Sequence, residues 1–166
     1  MSSHGELTWW GAGTVPPPAS IVWCNFPTHL APGVPGPKSR PGLVFKVRYA
    51  DDPPGERFLV QVAYGTTKLK TASRPDDFII ANSVMLDILR LPSATRFDLD
   101  TIAWLPWAKE YFAPREESDP FCTPVVSTLP ADMQRLLGWT MQIREEDGLN
   151  AAYHTPPPAA AGLEKD

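Results

Sequence analysis

Three groups of polar residues lie near the ends of predicted strands, and their side chains suit chemistry on a phosphate group. Arg40 stands in "SRPGLVF", and Thr66 and Thr67 stand in "YGTTKL". Arg96 and Asp98 follow in "TRFDL". A planar guanidinium presents a fork of N–H donors to a phosphate or a carboxylate. Hydroxyls and free backbone N–H groups bind an oxyanion, and a carboxylate accepts a proton.

Each group also has an ordinary structural interpretation. Pro41 restricts Arg40 to extended backbone, which limits the directions its side chain takes, yet an arginine beside a loop is commonly solvated or paired with a surface acid. Threonines after a glycine commonly form turns, and an Arg-x-Asp pair on one strand face is commonly a plain ion pair. The functional prediction therefore depends on the order of the groups along the chain.

The elements that must position these residues are mostly strands. Alternation of apolar residues predicts strands over residues 20–26, 42–50, 57–65, 78–81 and 94–107, and residues 83–91 fit either a helical turn or a strand with a bulge. Short connections without long crossover helices predict an antiparallel arrangement. The fold class expected is mainly β with a C-terminal helix, a small curled sheet or barrel capped by that helix.

The helical signal lies in "STLPADMQRLLGWTMQIREE". Ser127 or Thr128 is a possible N-cap, and Pro130 is expected in the first turn. Apolar residues at helical spacing are predicted to form the stripe that faces the sheet: Met133, Leu136, Leu137 and Met141.

The length of 166 residues predicts a single domain. We expect an N-terminal extension over residues 1–19, the domain over residues 20–145 and a flexible tail over residues 146–166. Trp9 and Trp10 are the sizeable apolar groups of the extension, and they are expected to dock on the domain or on a partner.

Composition and missing motifs exclude several classes of function. The net charge of −4 argues against nucleic-acid binding by bulk electrostatics but allows a local basic cleft. Cys24 and Cys122 have no metal-ligand or disulfide spacing, so no metal is predicted and a reduced, cytoplasmic protein is expected. The chain lacks a phosphate-binding glycine loop, which predicts no cofactor. No signal peptide and no run of ~18 apolar residues is apparent, so no membrane association is expected.

The order of the motifs resembles the MazF/PemK family of toxin endoribonucleases. "SIVWCNFP" is followed by a variable loop, then "RPGLVF", "VQVAYGTTK" and "PSATRFDLDTIAW", and "TLPADMQRLLGWTM" is similar to the closing helix of the family. The resemblance covers residues 20 to about 142. It implies an SH3-like (CcdB/MazF-like) barrel that commonly dimerises and cleaves single-stranded RNA without a metal. The ribose 2′-OH attacks the adjacent phosphorus and leaves a cyclic phosphate.

The resemblance also implies roles for the polar groups. Arg40 would stabilise charge on the phosphate, and Thr66 would bind its oxygens with support from Thr67. Arg96 and Asp98 match the Arg-x-Asp pair proposed in the family as acid and base. Because an arginine guanidinium keeps its proton in proteins and is a poor proton donor, we assign both arginines electrostatic work.

Further expectations concern binding. Lys38, Lys68 and His29 are predicted to contact the substrate. The partners implied are single-stranded RNA, a cognate antitoxin that occupies the same cleft, and a second copy of the chain. Strand aromatics can stack on bases, although core packing is their commoner fate: Trp23, Phe26 and Tyr64.

Two alternatives stay open beside the nuclease. One is a barrel without catalysis that binds a protein partner through its long loop and the Trp9/Trp10 arm. The other is a toxin with a protein target. The presence of Arg40 with Thr66 favours the nuclease, whereas the acidic balance and the proline-rich loop of residues 27–39 favour the alternatives.

Overall fold

One curled antiparallel sheet organises the protein. The computed structural model describes residues 7–51, 55–69, 77–115 and 122–148. Its strands are β1 (Ser20–Cys24), β2 (Arg40–Tyr49), β3 (Phe58–Thr66), β4 (Phe78–Ile80), β5 (Thr95–Pro106) and β6 (Val125–Thr128). They lie in the order β4-β5-β3-β2-β1-β6 and form a half-barrel of six strands. The prediction of a mainly β fold with a helix near the C-terminus is confirmed.

Among the described residues, two α-helices accompany the sheet, α1 (Ser83–Ile88) and α2 (Ala131–Glu146), besides a short 3-10 helix at Ala12–Thr14. Residues 83–88 are thus helical, which decides between the two interpretations that the sequence left open. The Asn82 side chain caps α1 by accepting hydrogen bonds from the backbone N–H groups of Val84 and Met85, at 2.9 and 3.1 Å. Neither described helix is long and apolar enough to cross a membrane.

Hydrophobic cores cover both faces of the sheet. Ile21 and Leu43 belong to the core that α1 and α2 cover, while Val22 and Val44 belong to the core on the other face. This division follows from the strand, in which successive side chains point to opposite faces. Burying one such aliphatic side chain is worth ~1.5–3 kcal/mol, so both faces contribute to stability.

The start of α2 differs from the prediction. Val125–Thr128 forms β6, and the N-cap of α2 is Pro130, which provides no side-chain hydrogen bond. The predicted N-cap at Ser127 or Thr128 is therefore wrong. Both residues extend the sheet by pairing with β1, and this tertiary pairing outweighs their local preference for a cap.

The helical stripe is correct except at one position. Leu137 is buried, and Met133 and Met141 pack against the same core. Leu136 is 53% exposed and lies on the outer side of α2 with Trp139 and Ile143. The helix therefore carries an apolar face that the sheet does not cover.

The N-terminal segment docks on the second core. The Trp10 backbone N–H donates to the Trp107 carbonyl at 3.0 Å, and Trp10 Nε1 donates to the Phe112 carbonyl at 2.8 Å. Trp9 bridges to Ala108 as an isolated antiparallel pair. Residues 1–6 and the predicted tail beyond Gly148 lie outside the described residues.

Candidate functional site

The strand register brings the start of β2, the end of β3 and the start of β5 together at one end of the sheet. Arg40 is the first residue of β2. Across the β3–β5 ladder, Tyr64 pairs with Asp98 and Thr66 pairs with Arg96. Residues that are far apart in the chain therefore meet at this end of the sheet, where two clefts open.

The first cleft, which we call the Asp98 cleft, has a volume of about 400 Å³. It is lined by Phe26, Pro27, Thr28, His29, Pro37, Lys38, Arg40, Tyr64, Asp98 and Thr101. A histidine, a lysine and an arginine thus line this cleft together with one carboxylate and two aromatic rings, those of Phe26 and Tyr64.

The second cleft, which we call the Thr66 cleft, has a volume of about 270 Å³. It is lined by Trp23, Ser39, Arg40, Pro41, Gly65, Thr66, Thr67, Pro92, Ser93, Thr95 and Arg115. Arg40 lines both clefts and so forms the wall that they share. The predicted residues are therefore divided between two neighbouring spaces that have one guanidinium in common.

Arg40 is held by an aromatic ring. Its guanidinium carbon lies 5.5 Å from the centre of the Tyr64 ring, in a cation–π contact. Tyr64 in turn meets Phe26 edge-on, with ring centres 5.4 Å apart. No carboxylate of the described residues forms an ion pair with Arg40. Its N–H donors are thus available to a ligand.

A bulge in β5 determines the surroundings of Asp98. Ala63 pairs with Ile102, but the next residue, Tyr64, pairs with Asp98, so residues 99–101 have no partner on β3. The bulge brings Thr101 Oγ1 within 3.0 Å of Asp98 Oδ2, to which it donates, and Asp98 Oδ1 accepts from the Asp100 N–H at 2.9 Å. Both oxygens of this carboxylate are therefore oriented, while its side chain stays 26% exposed at the cleft.

Arg96 lies behind the site and lines neither cleft. Its Nη1 is 3.0 Å from Asp77 Oδ2 and 3.9 Å from Asp98 Oδ2, and its Nε donates to the Lys68 carbonyl at 3.2 Å. The residue is only 7% exposed. These contacts tie β5 to the segments that flank β3 and β4, so we expect Arg96 to position the site.

Two glycines allow backbone segments to approach each other closely at this end of the sheet. A Cβ at Gly65 would lie 2.2 Å from the Pro41 carbonyl oxygen, and a Cβ at Gly36 would lie 2.1 Å from the Phe26 carbonyl oxygen. The Gly36 N–H also donates to the Asn25 carbonyl at 2.9 Å. The proline-rich loop is thus fixed against the end of β1, and β2 lies close to the end of β3.

The remaining predicted residues fall in different places. His29 and Lys38 line the Asp98 cleft, and Thr67 lines the Thr66 cleft. Lys68 is exposed and lines neither cleft, although its N–H donates to Thr66 Oγ1 at 3.2 Å. Thr66 itself is 3% exposed.

Sequence reasoning missed Thr101, Ser93 and Arg115. A regular strand would place Thr101 on the face opposite Asp98, because an odd offset reverses the side-chain direction. Ser93 and Arg115 lie outside the strands, in segments without periodicity. No local pattern points to these residues, since each reaches its cleft through the path of the chain.

The described residues offer no thiolate or metal chemistry here. Cys24 and Cys122 are not joined in a disulfide, and burial raises the pKa of the Cys24 thiol, which disfavours its thiolate. Within the four described ranges, no three His, Cys, Asp or Glu side chains gather as metal ligands.

Comparisons with known proteins assign no family to the chain. No protein-family model matches it, and no curated protein matches it.

Proposed function

We propose that this protein is a metal-independent endoribonuclease of the MazF/PemK type, the toxin of a type II toxin–antitoxin system. Its half-barrel would then be an SH3-like barrel. One observation carries the proposal: Arg40 forms the wall between a cleft that contains Asp98 and a cleft that contains Thr66 and Thr67. A phosphate on Arg40 therefore lies between a proton acceptor and hydroxyl donors.

The reaction starts from single-stranded RNA with its scissile phosphate on Arg40. The Asp98 carboxylate accepts the proton of the ribose 2′-OH, and the oxygen attacks the adjacent phosphorus. The bond to the 5′-oxygen breaks, a cyclic phosphate forms on one product, and the leaving 5′-oxygen takes a proton from solvent. Arg40 and Thr66 stabilise the charge that develops on the non-bridging oxygens.

The surroundings of these residues support their roles. Thr66 Oγ1 already accepts a hydrogen bond from the Lys68 N–H, so its own proton is available for a phosphate oxygen. Thr101 orients Asp98, and Tyr64 supports Arg40. Arg96 would act through Asp98 and the strand ends.

His29, Lys38 and the aromatic rings that line the Asp98 cleft would bind the nucleotide beside the scissile phosphate. Bases stack on aromatic rings without strong sequence preference, and Lys38 would add attraction for the backbone. An antitoxin segment that covers the same clefts would exclude RNA.

The decisive experiment uses purified protein and long unstructured RNAs of varied sequence in the presence of a chelator. We expect products with cyclic phosphate ends by mass spectrometry, and a loss of ~10²–10³ in rate for Arg40→Ala and for Asp98→Asn. Arg48→Ala is the matched control, because Arg48 also lies over an aromatic ring, that of Trp104 at 4.6 Å, but lines neither cleft. Absence of cleavage in every RNA would overturn the proposal.

A non-catalytic protein-binding module is the second candidate, and the outer face of α2 favours it. Leu136, Trp139 and Ile143 are 53%, 70% and 52% exposed and share one side of the helix. A clustered apolar surface of this kind marks a protein interaction site. In the nuclease proposal, the same face would pair with a second copy of the chain.

A further inference from the structure

The Thr66 cleft combines two arginines with several hydroxyls. Arg40 and Arg115 both line it, together with the hydroxyl-bearing residues Ser39, Thr67 and Ser93. None of the described residues that line it is acidic. This composition suits an anion, because guanidinium and hydroxyl groups donate hydrogen bonds and no carboxylate competes with the ligand.

Arg115 is held in the same way as Arg40. Its guanidinium carbon lies 4.8 Å from the centre of the Trp23 ring, and Trp23 is 8% exposed. Arg115 itself is exposed, and it forms no ion pair with a carboxylate of the described residues. An aromatic ring thus orients each guanidinium while leaving its N–H donors to a ligand.

We propose that the Thr66 cleft binds the phosphate next to the scissile one, through Arg115 and the hydroxyls of Thr67 and Ser93. This inference rests on the proposed function, since it takes Arg40 as the site of the scissile phosphate. The strand then runs from the Asp98 cleft over Arg40 into the Thr66 cleft. A ligand with phosphates at both arginines binds more tightly than one with a single phosphate.

The experiment measures binding of 2′-deoxy dinucleotides, which lack the attacking hydroxyl and cannot be cleaved. Calorimetry compares a dinucleotide with one internal phosphate against two forms that carry a further phosphate, one at the 5′ end and one at the 3′ end. We expect one of the two additions to tighten binding about tenfold, as a charge-assisted hydrogen bond does. Arg115→Gln is expected to reduce that gain to less than about twofold.

Arg57→Gln is the matched control. Arg57 lies over the Trp9 ring at 5.6 Å and lines neither cleft. We therefore expect Arg57→Gln to leave the affinity gain from the terminal phosphate unchanged. Ser93→Ala, which removes one hydroxyl without a change of charge, is expected to reduce the gain in part. Melting temperatures verify that each variant folds.

The outcomes separate the inference from the proposed function. If neither terminal phosphate tightens binding, or if Arg115→Gln leaves the gain intact, the inference is wrong even where RNA is cleaved. If the gain depends on Arg115 but no RNA is cleaved, the Thr66 cleft is a site for a second phosphate of a bound strand, and the nuclease proposal fails. If inorganic phosphate competes with the dinucleotide but a terminal phosphate does not increase affinity, the cleft is a general anion site. This result also overturns the inference.

Discussion

Tyr64 lies directly opposite Asp98 in the ladder between β3 and β5. The same ring supports the Arg40 guanidinium at 5.5 Å. One aromatic residue therefore links the two groups on which the proposed chemistry depends, and its substitution tests whether the ring positions Arg40.

We expect Tyr64→Phe to retain RNA cleavage, because the ring under Arg40 remains. Tyr64→Leu removes the cation–π contact, which is worth ~0.5–1 kcal/mol at an exposed site, and lowers kcat/KM about two- to fivefold. Cleavage of a fluorogenic RNA measures both variants. Equal activity of the leucine and phenylalanine variants would show that the ring does not position Arg40.

Thr101→Val removes the hydroxyl that donates to Asp98. A hydrogen bond to a charged group contributes ~1.5–3 kcal/mol, so we expect kcat to fall at least about tenfold. KM should change little, because Thr101 acts through Asp98. Thr140→Val is the control, since Thr140 Oγ1 donates only to the Leu136 carbonyl within α2. A rise in KM without a change in kcat would contradict this role.

Arg144 joins the end of α2 to the sheet by its ion pair with Asp100. The Arg144 side chain is 1% exposed and that of Asp100 is 25% exposed. Arg144→Ala is expected to lower the free energy of unfolding by about 3 kcal/mol. This is the lower end of the range for breaking a buried ion pair, because the Asp100 carboxylate remains partly exposed to solvent. Urea unfolding measures the change. Arg135→Ala, at an exposed position of the same helix, should stay within about 0.5 kcal/mol of the unchanged protein.

The apolar face of α2 predicts self-association. Trp139 lies between Leu136 and Ile143 on the outer side of the helix, and a charge there opposes burial in an interface. Trp139→Glu is expected to convert a dimer to a monomer in sedimentation velocity. Val84→Glu is the matched control, because Val84 is an exposed apolar residue of α1, 66% exposed. A protein that is monomeric before substitution would contradict the prediction that this face is a dimer interface.

The two cysteines should differ in reactivity. Burial raises the pKa of Cys24 above its ordinary value, so its thiol stays protonated at neutral and mildly alkaline pH and is also shielded from reagents. Cys122 is exposed. A thiol reagent at pH 8 is expected to label Cys122 in the native protein, and Cys24 only after denaturation. Rapid labelling of native Cys24, detected by peptide mapping, would mean that β1 opens readily.

The predictions from sequence were reliable where local geometry decides structure. Alternation placed β1 to β5 because successive side chains of a strand point to opposite faces. The prediction was wrong for Ser127 and Thr128, whose pairing with β1 depends on a strand more than a hundred residues away. It was also wrong for Leu136, because the width of the buried stripe on α2 depends on how the helix rests on the sheet.

The sequence by itself determined β1 to β5, the late helix and the position of Arg40 before Pro41, since these follow from side-chain periodicity and from the restriction that proline imposes. Only the tertiary structure decided which polar residues share a cleft. The bulge in β5 gives Asp98 its partner Thr101, and Arg96 is drawn behind the site by Asp77. Arg115 lines the same cleft as Arg40 because of the path of the chain after β5. Each of these relations joins segments that are distant in sequence, so no local pattern encodes them.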